Sequence, residues 1–294
     1  MSNSTCNVDT GIPESLSYRK AGRHVKPEGS VLNIGGIRIG GKGFVIMAGP
    51  CAVESEEQLM ATAKAVHEKG ASILRGGAFK PRSSPYSFQG LEEEGLKLLE
   101  KARISFGIPV ITEVMDTRQV EMVCSYADIL QIGSRNMQNF PLLKEAGMCR
   151  KPVMLKRGMN ATLDELLLAS EYILDGGNEN VMLCERGIRS FESSYRNTMD
   201  LNAVPMLKRL THLPVIVDPS HGTGHAWMVP HLAKAAMAVG ADGLLIEVHY
   251  DPQHAMCDGQ QSLTAAQFDT LMAELRILSS ALGKDMIIPE ISLY

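Results

Sequence analysis

The sequence predicts a closed (β/α)8 TIM barrel, and three observations carry the prediction. From residue 44 onward, eight short apolar runs rich in Val and Ile alternate with stretches of helical period. The runs recur about every 28 residues, the repeat of a strand–helix unit in such a barrel. Within each run the apolar residues come first and the polar ones last, so a barrel would gather the polar ends on one face.

Residues 1–30 are polar and lack apolar periodicity, and are expected to form a partly flexible arm. "VLNIGGIRIG" alternates apolar and polar residues around Gly35-Gly36, the pattern of a two-stranded hairpin; it is assigned to 31–43 and expected to cover the bottom of the barrel. The barrel itself takes 44–280 and a tail 281–294. Strands are expected in "FVIMAG" (44–49), "SILRGG" (72–77), "PVITEV" (109–114), "ILQIG" (129–133), "PVMLKRG" (152–158), "NVMLCERG" (180–187), "PVIVDPSH" (214–221) and "GLLIEVH" (243–249). Between them, "SEEQLMATAKAVHEKG", "LEEEGLKLLEKARISFG" and "TLDELLLASEYILDGG" have helical period and close on Gly, as helix ends do. A doubly wound open sheet competes, but it usually has fewer strands and a glycine-rich first turn. Here that turn is "AGPCAVES".

Composition narrows the function. Lys plus Arg is 29 against 33 for Asp plus Glu, so the net charge of -4 gives no electrostatic reason for a nucleic-acid or acidic-membrane partner. The amino terminus lacks the order of a secretory signal and no apolar run approaches the roughly 18 residues of a membrane span, so a cytoplasmic protein is expected. Six cysteines without framework spacing are expected to be reduced.

The polar strand ends supply two sets of groups. Cys51, His221, Glu247 and Asp258 follow the first, seventh and eighth runs, which are neighbours in a closed ring. A thiolate, an imidazole and two carboxylates suit a divalent Mn, Fe, Co or Zn ion with a position left open; Ca and Mg avoid sulfur. A lone cysteine also serves as packing and a lone histidine as a helix cap, so both readings stand. Arg75, Lys80, Arg82, Lys156 and Arg186 form the second set. Five cations around one mouth repel one another unless anions sit among them, and two phosphates match their number. Gln131 ends its strand in the same place, and "KPRSSPYSFQG" (80–90) reads as a phosphate clamp or as a plain Ser/Pro surface turn. Gly222 and Gly224 are expected to bring the backbone after His221 close to the bound anion or metal. His249 is left between orienting a neighbour and facing solvent.

"GPCAVES", "LRGGAFKPRSSPYSFQG", "LKRGMNAT", "CERGIRSFESSYRNTMD", "DPSHGTG" and "IEVHYDPQHAMCDGQQSL" resemble the 3-deoxy-D-arabino-heptulosonate-7-phosphate (DAHP) synthases of the type Iβ subgroup, from about residue 31 to residue 276. The resemblance implies a metal-dependent condensation of phosphoenolpyruvate with D-erythrose 4-phosphate and water. The products are DAHP and phosphate, in the first step of the shikimate pathway to chorismate and the aromatic amino acids. It implies Cys51, His221, Glu247 and Asp258 as metal ligands, and Arg75, Lys80, Lys156 and Arg186 around phosphoenolpyruvate. Arg82 and Ser83 match the element that takes the aldose phosphate. Lys80, Cys51 and His221 are the expected catalytic residues, with Lys80 hydrogen-bonding the new alkoxide or donating its proton, and the surrounding cations favouring its neutral form as product leaves. A homodimer or homotetramer is expected. The stretch before the hairpin is too short for the ferredoxin-like regulatory domain of some members.

Two alternatives remain at this point. The sister enzyme making 3-deoxy-octulosonate 8-phosphate from arabinose 5-phosphate is similar across the barrel, though it reads "KANRSS" where this chain has "KPRSS". A Schiff-base aldolase using Lys156 is the other.

Overall fold

The computed structural model describes residues 18–82 and 84–288. In chain order it holds β1 (Leu32–Ile34), β2 (Ile37–Ile39), β3 (Gly43–Gly49), α1 (Glu56–Glu68), β4 (Ile73–Arg75), α2 (Glu92–Phe106), β5 (Val110–Val114), α3 (Val120–Tyr126), β6 (Ile129–Ile132), α4 (Phe140–Met148), β7 (Val153–Lys156), α5 (Leu163–Asp175), β8 (Val181–Glu185), α6 (Ala203–Leu210), β9 (Val215–Val217), α7 (Pro219–Thr223), α8 (Val229–Ala238), β10 (Gly243–Glu247), α9 (Ala265–Leu282) and β11 (Asp285–Met286). Strands β3 to β10 pair in parallel with their sequence neighbours, and β10 closes on β3 over five residue pairs, Gly243↔Val45 to Glu247↔Gly49. The expected (β/α)8 barrel is therefore present.

The strands read as unbroken apolar runs because a parallel barrel buries both of their faces. Alternation along each strand then divides the core. Phe44, Ile46 and Ala48 of β3 join the layer packed against the helices, whereas Val45 and Met47 join the barrel interior with Ile73, Ile111, Ile129, Met154, Met182, Cys184, Ile216 and Leu245. Leu32, Ile34, Ile37 and Ile39 of the β1–β2 hairpin belong to that inner cluster, so the hairpin plugs the end of the barrel where the strands begin.

Several helices start where side chains cap them. Ser55 accepts from Gln58 N at α1, and Thr162 with Glu165 and Thr264 with Gln267 form reciprocal capping boxes at α5 and α9. Within the expected arm, residues 1–17 lie outside the described residues, while the segment from 18 is fastened to the helix layer. The Tyr18 hydroxyl bonds Asp164, Thr211 Oγ1 bonds the Ala21 carbonyl, and His212 lies 2.8 Å from Ser30 Oγ and 2.7 Å from the Lys20 carbonyl. At the other terminus, Met286 pairs with Phe44 through β11 and Ile287 N donates to the Phe44 carbonyl; 289–294 lie outside the described residues.

The cysteines depart in part from the reduced state expected. Cys124 in α3 and Cys149 at the end of α4 are disulfide-bonded, with Cα atoms 7.4 Å apart. Proximity in the folded chain, which linear spacing does not reveal, makes this pair. Cys51, Cys184 and Cys257 are buried free thiols. Among the described residues, no helix is long and apolar enough to cross a membrane.

Candidate active site

The parity that sends Val45 and Met47 inward also sends Cys51 inward past the end of β3. The same two-residue step carries Ile73 to Arg75, Ile111 to Glu113, Ile129 to Gln131, Met154 to Lys156, Cys184 to Arg186, Ile216 to Asp218 and Leu245 to Glu247. Eight strands thus deliver eight polar side chains to one mouth. A cavity of about 300 Å³ opens there, and Lys80, Arg82, His221 and Asp258 from the loops also line it or border it.

Arg157 and Glu185 have the opposite parity, and the expectation that these polar strand ends also face the pocket is corrected. Arg157 Nη1 donates to Glu185 Oε2 at 2.8 Å and to Asp200 Oδ2 at 2.9 Å, and both Arg157 and Glu185 are buried. The pair braces β7 against β8, behind Lys156 and Arg186.

The metal-ligand candidates converge. His221, Glu247 and Asp258 offer atoms within 4.8 Å of one another, and Asp258 forms a second such group with Cys51 and Cys257. Gln261 Nε2 donates to Glu247 Oε2 at 2.7 Å, and Arg75 Nη1 donates to Glu247 Oε1 at 3.1 Å. Burial would raise the Glu247 carboxyl, but His221 and Arg75 hold it below its ordinary value. Burial, joined by Lys156, lowers His221 to about 4 against the pull of Asp218 and Glu247, so the imidazole is neutral at physiological pH. His221 Nδ1 sits 2.7 Å from Asp218 Oδ2, close though poorly aligned for a hydrogen bond, and Nε2 lies 3.5 Å from Glu247 Oε1. A neutral imidazole grouped with the carboxylates of Glu247 and Asp258, the latter shared with the Cys51–Cys257 thiols, fits a divalent first-row cation.

Cys257 is a second thiol that sequence reasoning passed over, although it precedes Asp258 directly. Cys51 Sγ donates to Cys257 Sγ at 3.3 Å, and that bond, with burial, raises the Cys51 thiol well above its usual range. Accepting the bond lowers Cys257 to about 7, helped by Lys80 and by Arg82, whose Nη1 is 2.6 Å away. Lys80 Nζ donates to the Cys51 carbonyl at 3.0 Å and to Cys51 Sγ at 3.1 Å. Burial disfavours the Lys80 ammonium, but Cys51 and Cys257 outweigh burial and the repulsion of Arg75, and the lysine keeps its proton above the ordinary value. Sulfur as well as cations surrounds this amine.

On the anion-binding side, Lys156 Nζ pairs with buried Asp218. Arg186 is 5% exposed, yet its Nε and Nη1 have no partner among the described residues. Gln131 Nε2 donates to Glu113 Oε2 at 3.3 Å. Ser83 lies outside the described residues. Arg135 and Arg196 also line the cavity, bringing its Lys and Arg side chains to seven. Neither follows a strand directly, so the strand-end pattern did not find them; a basic residue in each loop of the same face was the available signal. At Gly222 and Gly224 the close approach seen is to the protein's own side chains. A side chain at Gly222 would reach 2.0 Å from Met199 Cε, and one at Gly224, a left-handed helix cap at φ +74°, would reach 2.6 Å from Arg196 Cβ. They make room for the segment between β8 and α6.

Comparison with known proteins agrees with this geometry. The model of the DAHP synthetase I family matches residues 21–282. The phospho-2-dehydro-3-deoxyheptonate aldolase of Thermotoga maritima is 50% identical over 276 residues, 94% of this chain and 82% of that protein. The crystal structure of that Thermotoga enzyme, a DAHP synthase, superposes with a TM-score of 0.91 at 47% identity, covering 94% of this chain and 81% of the other. The 2-dehydro-3-deoxyphosphooctonate aldolase of Geobacter sulfurreducens is 30% identical over 269 residues, 85% of this chain and 97% of that protein.

Proposed function

The chain belongs to the DAHP synthetase I family, and from that premise we propose how its residues divide the work. It is an enzyme that condenses phosphoenolpyruvate with D-erythrose 4-phosphate and water to give DAHP and phosphate. Cys51, His221, Glu247 and Asp258 hold a divalent Mn, Fe, Co or Zn ion, a choice supported by the mixed sulfur, nitrogen and oxygen donors. Such an ion supplies Lewis-acid polarisation of the aldehyde oxygen of erythrose 4-phosphate.

The remaining tasks fall to the chain's own groups. Arg186 carries the reading: a buried guanidinium with two donors unpartnered among the described residues fits a phosphate whose oxygens complete it. Arg75, Lys80 and Lys156 hold phosphoenolpyruvate beside it, with Gln131 at the cavity wall. Arg82 and Ser83 take the aldose phosphate at the rim. With both substrates fixed, C3 of phosphoenolpyruvate bonds the aldehyde carbon and water adds at C2. The hemiketal phosphate then loses inorganic phosphate by C–O cleavage. Lys80, holding its proton, donates it to the oxygen of the former aldehyde.

Lys156 is poorly suited to Schiff-base chemistry, because its ammonium is paired with a buried carboxylate. Assembly as a homodimer or homotetramer belongs to the same proposal and rests on the family membership.

One assay tests the whole: phosphate release from phosphoenolpyruvate with erythrose 4-phosphate or arabinose 5-phosphate, with and without chelator. Release is expected with the four-carbon sugar and is lost on chelation. Preference for the five-carbon sugar, or a borohydride-trapped substrate adduct, overturns the assignment.

A further inference from the structure

We propose that Glu54 is a positioning residue for the metal site, its carboxylate clasping the segment that bears Cys51 to the segment that bears Asp258, with His249 steadying the clasp. The inference rests on the ligand set given above.

Glu54 lies three residues after Cys51, at the entry to α1. Its partners lie on the far side of the ring seam. Met256 N donates to Glu54 Oε1 at 2.9 Å, and His249 Nε2 lies 3.3 Å from Glu54 Oε2. Those partners are two residues before Asp258 and two after Glu247. One carboxylate therefore spans both ends of the stretch 249–256 and ties it to the stretch that follows β3.

The ring of His249 is fixed at both nitrogens. Asp251 N donates to Nδ1 at 3.0 Å, which assigns the ring proton to Nε2 and makes that nitrogen the donor to Glu54. His249 is 2% exposed, so it orients a neighbour rather than facing solvent.

The segment needs such an anchor. Tyr250 and Met256 are half exposed and bury little surface. Asp258 sits at φ +51°, a left-handed conformation uncommon for an L-residue, though aspartate tolerates it better than most. Close packing within the loop shapes it but does not locate it: a side chain at Gly259 would reach 2.1 Å from the Pro252 carbonyl. Cys51 meets this loop through weak sulfur contacts to Cys257 at 3.3 Å and Asp258 at 3.4 Å, and Glu54 adds the charged anchor that fixes the location. Groups that orient metal ligands without touching the metal typically govern affinity by about 10–100-fold.

The test is Zn2+ affinity, measured by competition with a chromophoric chelator, for the parent, Glu54→Ala, Glu54→Gln and Cys51→Ala. The melting temperature of each metal-free protein is measured alongside. Glu54→Ala is expected to weaken Zn2+ binding about 10–100-fold. Glu54→Gln, which keeps an acceptor for Met256 N but not for both partners, is expected to lose less. Metal-free melting should change little in both, and kcat should recover at saturating Zn2+. Should Glu54→Ala fail to fold, Glu54→Gln alone decides. Affinity within twofold of the parent in the folded Glu54 variants, with Cys51→Ala impaired, overturns the clasp and leaves the ligand set standing. An unimpaired Cys51→Ala overturns the ligand set and the clasp together.

Discussion

A single carboxylate oxygen, Asp218 Oδ2, pairs with Lys156 Nζ and lies 2.7 Å from His221 Nδ1, while Asp218 Oδ1 accepts from His221 N at 3.0 Å. Burial would raise this carboxyl, yet His221 and Lys156 take it well below the usual carboxylate range. One buried anion thus couples the proposed ligand imidazole to Lys156 among the cations of the cavity.

Asp218→Asn is therefore expected to impair both sites at once. Loss of the negative charge leaves Lys156 buried without its counter-ion, a change that typically costs about 3–5 kcal/mol of stability. Metal affinity should fall by about 10-fold or more, and KM for phosphoenolpyruvate should rise. Chelator competition and steady-state kinetics read the two effects, and movement of only one would show that the shared carboxylate does not couple them.

Arg186→Ala removes the guanidinium whose Nε and Nη1 are unpartnered among the described residues. Charge-assisted hydrogen bonds contribute about 1.5–3 kcal/mol each, so KM for phosphoenolpyruvate should rise at least tenfold while KM for erythrose 4-phosphate stays near the parent value. Equal increases for the two substrates would remove Arg186 from the phosphoenolpyruvate side.

His212 links acidity to stability. Burial, then the nearby Lys26 and Arg23, lower its pKa below the ordinary 6.5, so the folded chain resists a proton that the unfolded chain accepts. Stability should hold above pH 6.5 and decline as pH falls from there through the folded pKa. Urea midpoints across that range check the slope. His212→Gln should flatten it, and an unchanged slope would assign the effect to other groups.

Ile39 is fully buried in the hairpin that plugs the barrel. Ile39→Ala should destabilise the protein by about 2–5 kcal/mol through the cavity it leaves, with KM for both substrates unchanged because the site lies at the opposite end. Thermal melting and kinetics together separate a plug from a part of the site.

Much of this was legible in the sequence, for physical reasons. Parallel strands buried on both faces leave continuous apolar runs, so seven of the eight strands lie within their expected stretches and β3 begins one residue before its own, at Gly43. The hairpin declared itself through Gly35-Gly36 between alternating residues. Consecutive polar residues were harder. "KR" at 156–157 and "ER" at 185–186 look equivalent in composition, yet parity counted from Met154 and Cys184 sends Lys156 and Arg186 into the barrel and Arg157 and Glu185 out of it. That rule was available in the sequence. The Cys124–Cys149 pairing and the sulfur contacts of Lys80 were not, since they depend on distances between segments that no periodicity encodes.

The closure of β10 on β3 has a consequence for biosynthesis. Cys51 leaves the ribosome early, whereas Glu247 and Asp258 emerge only in the last fifth of the chain. No nascent intermediate lacking that final stretch possesses the full donor set. Under the proposed ligand set, cation capture thereby waits for the emergence of Asp258, and chains terminated before that residue lack one of the four donors.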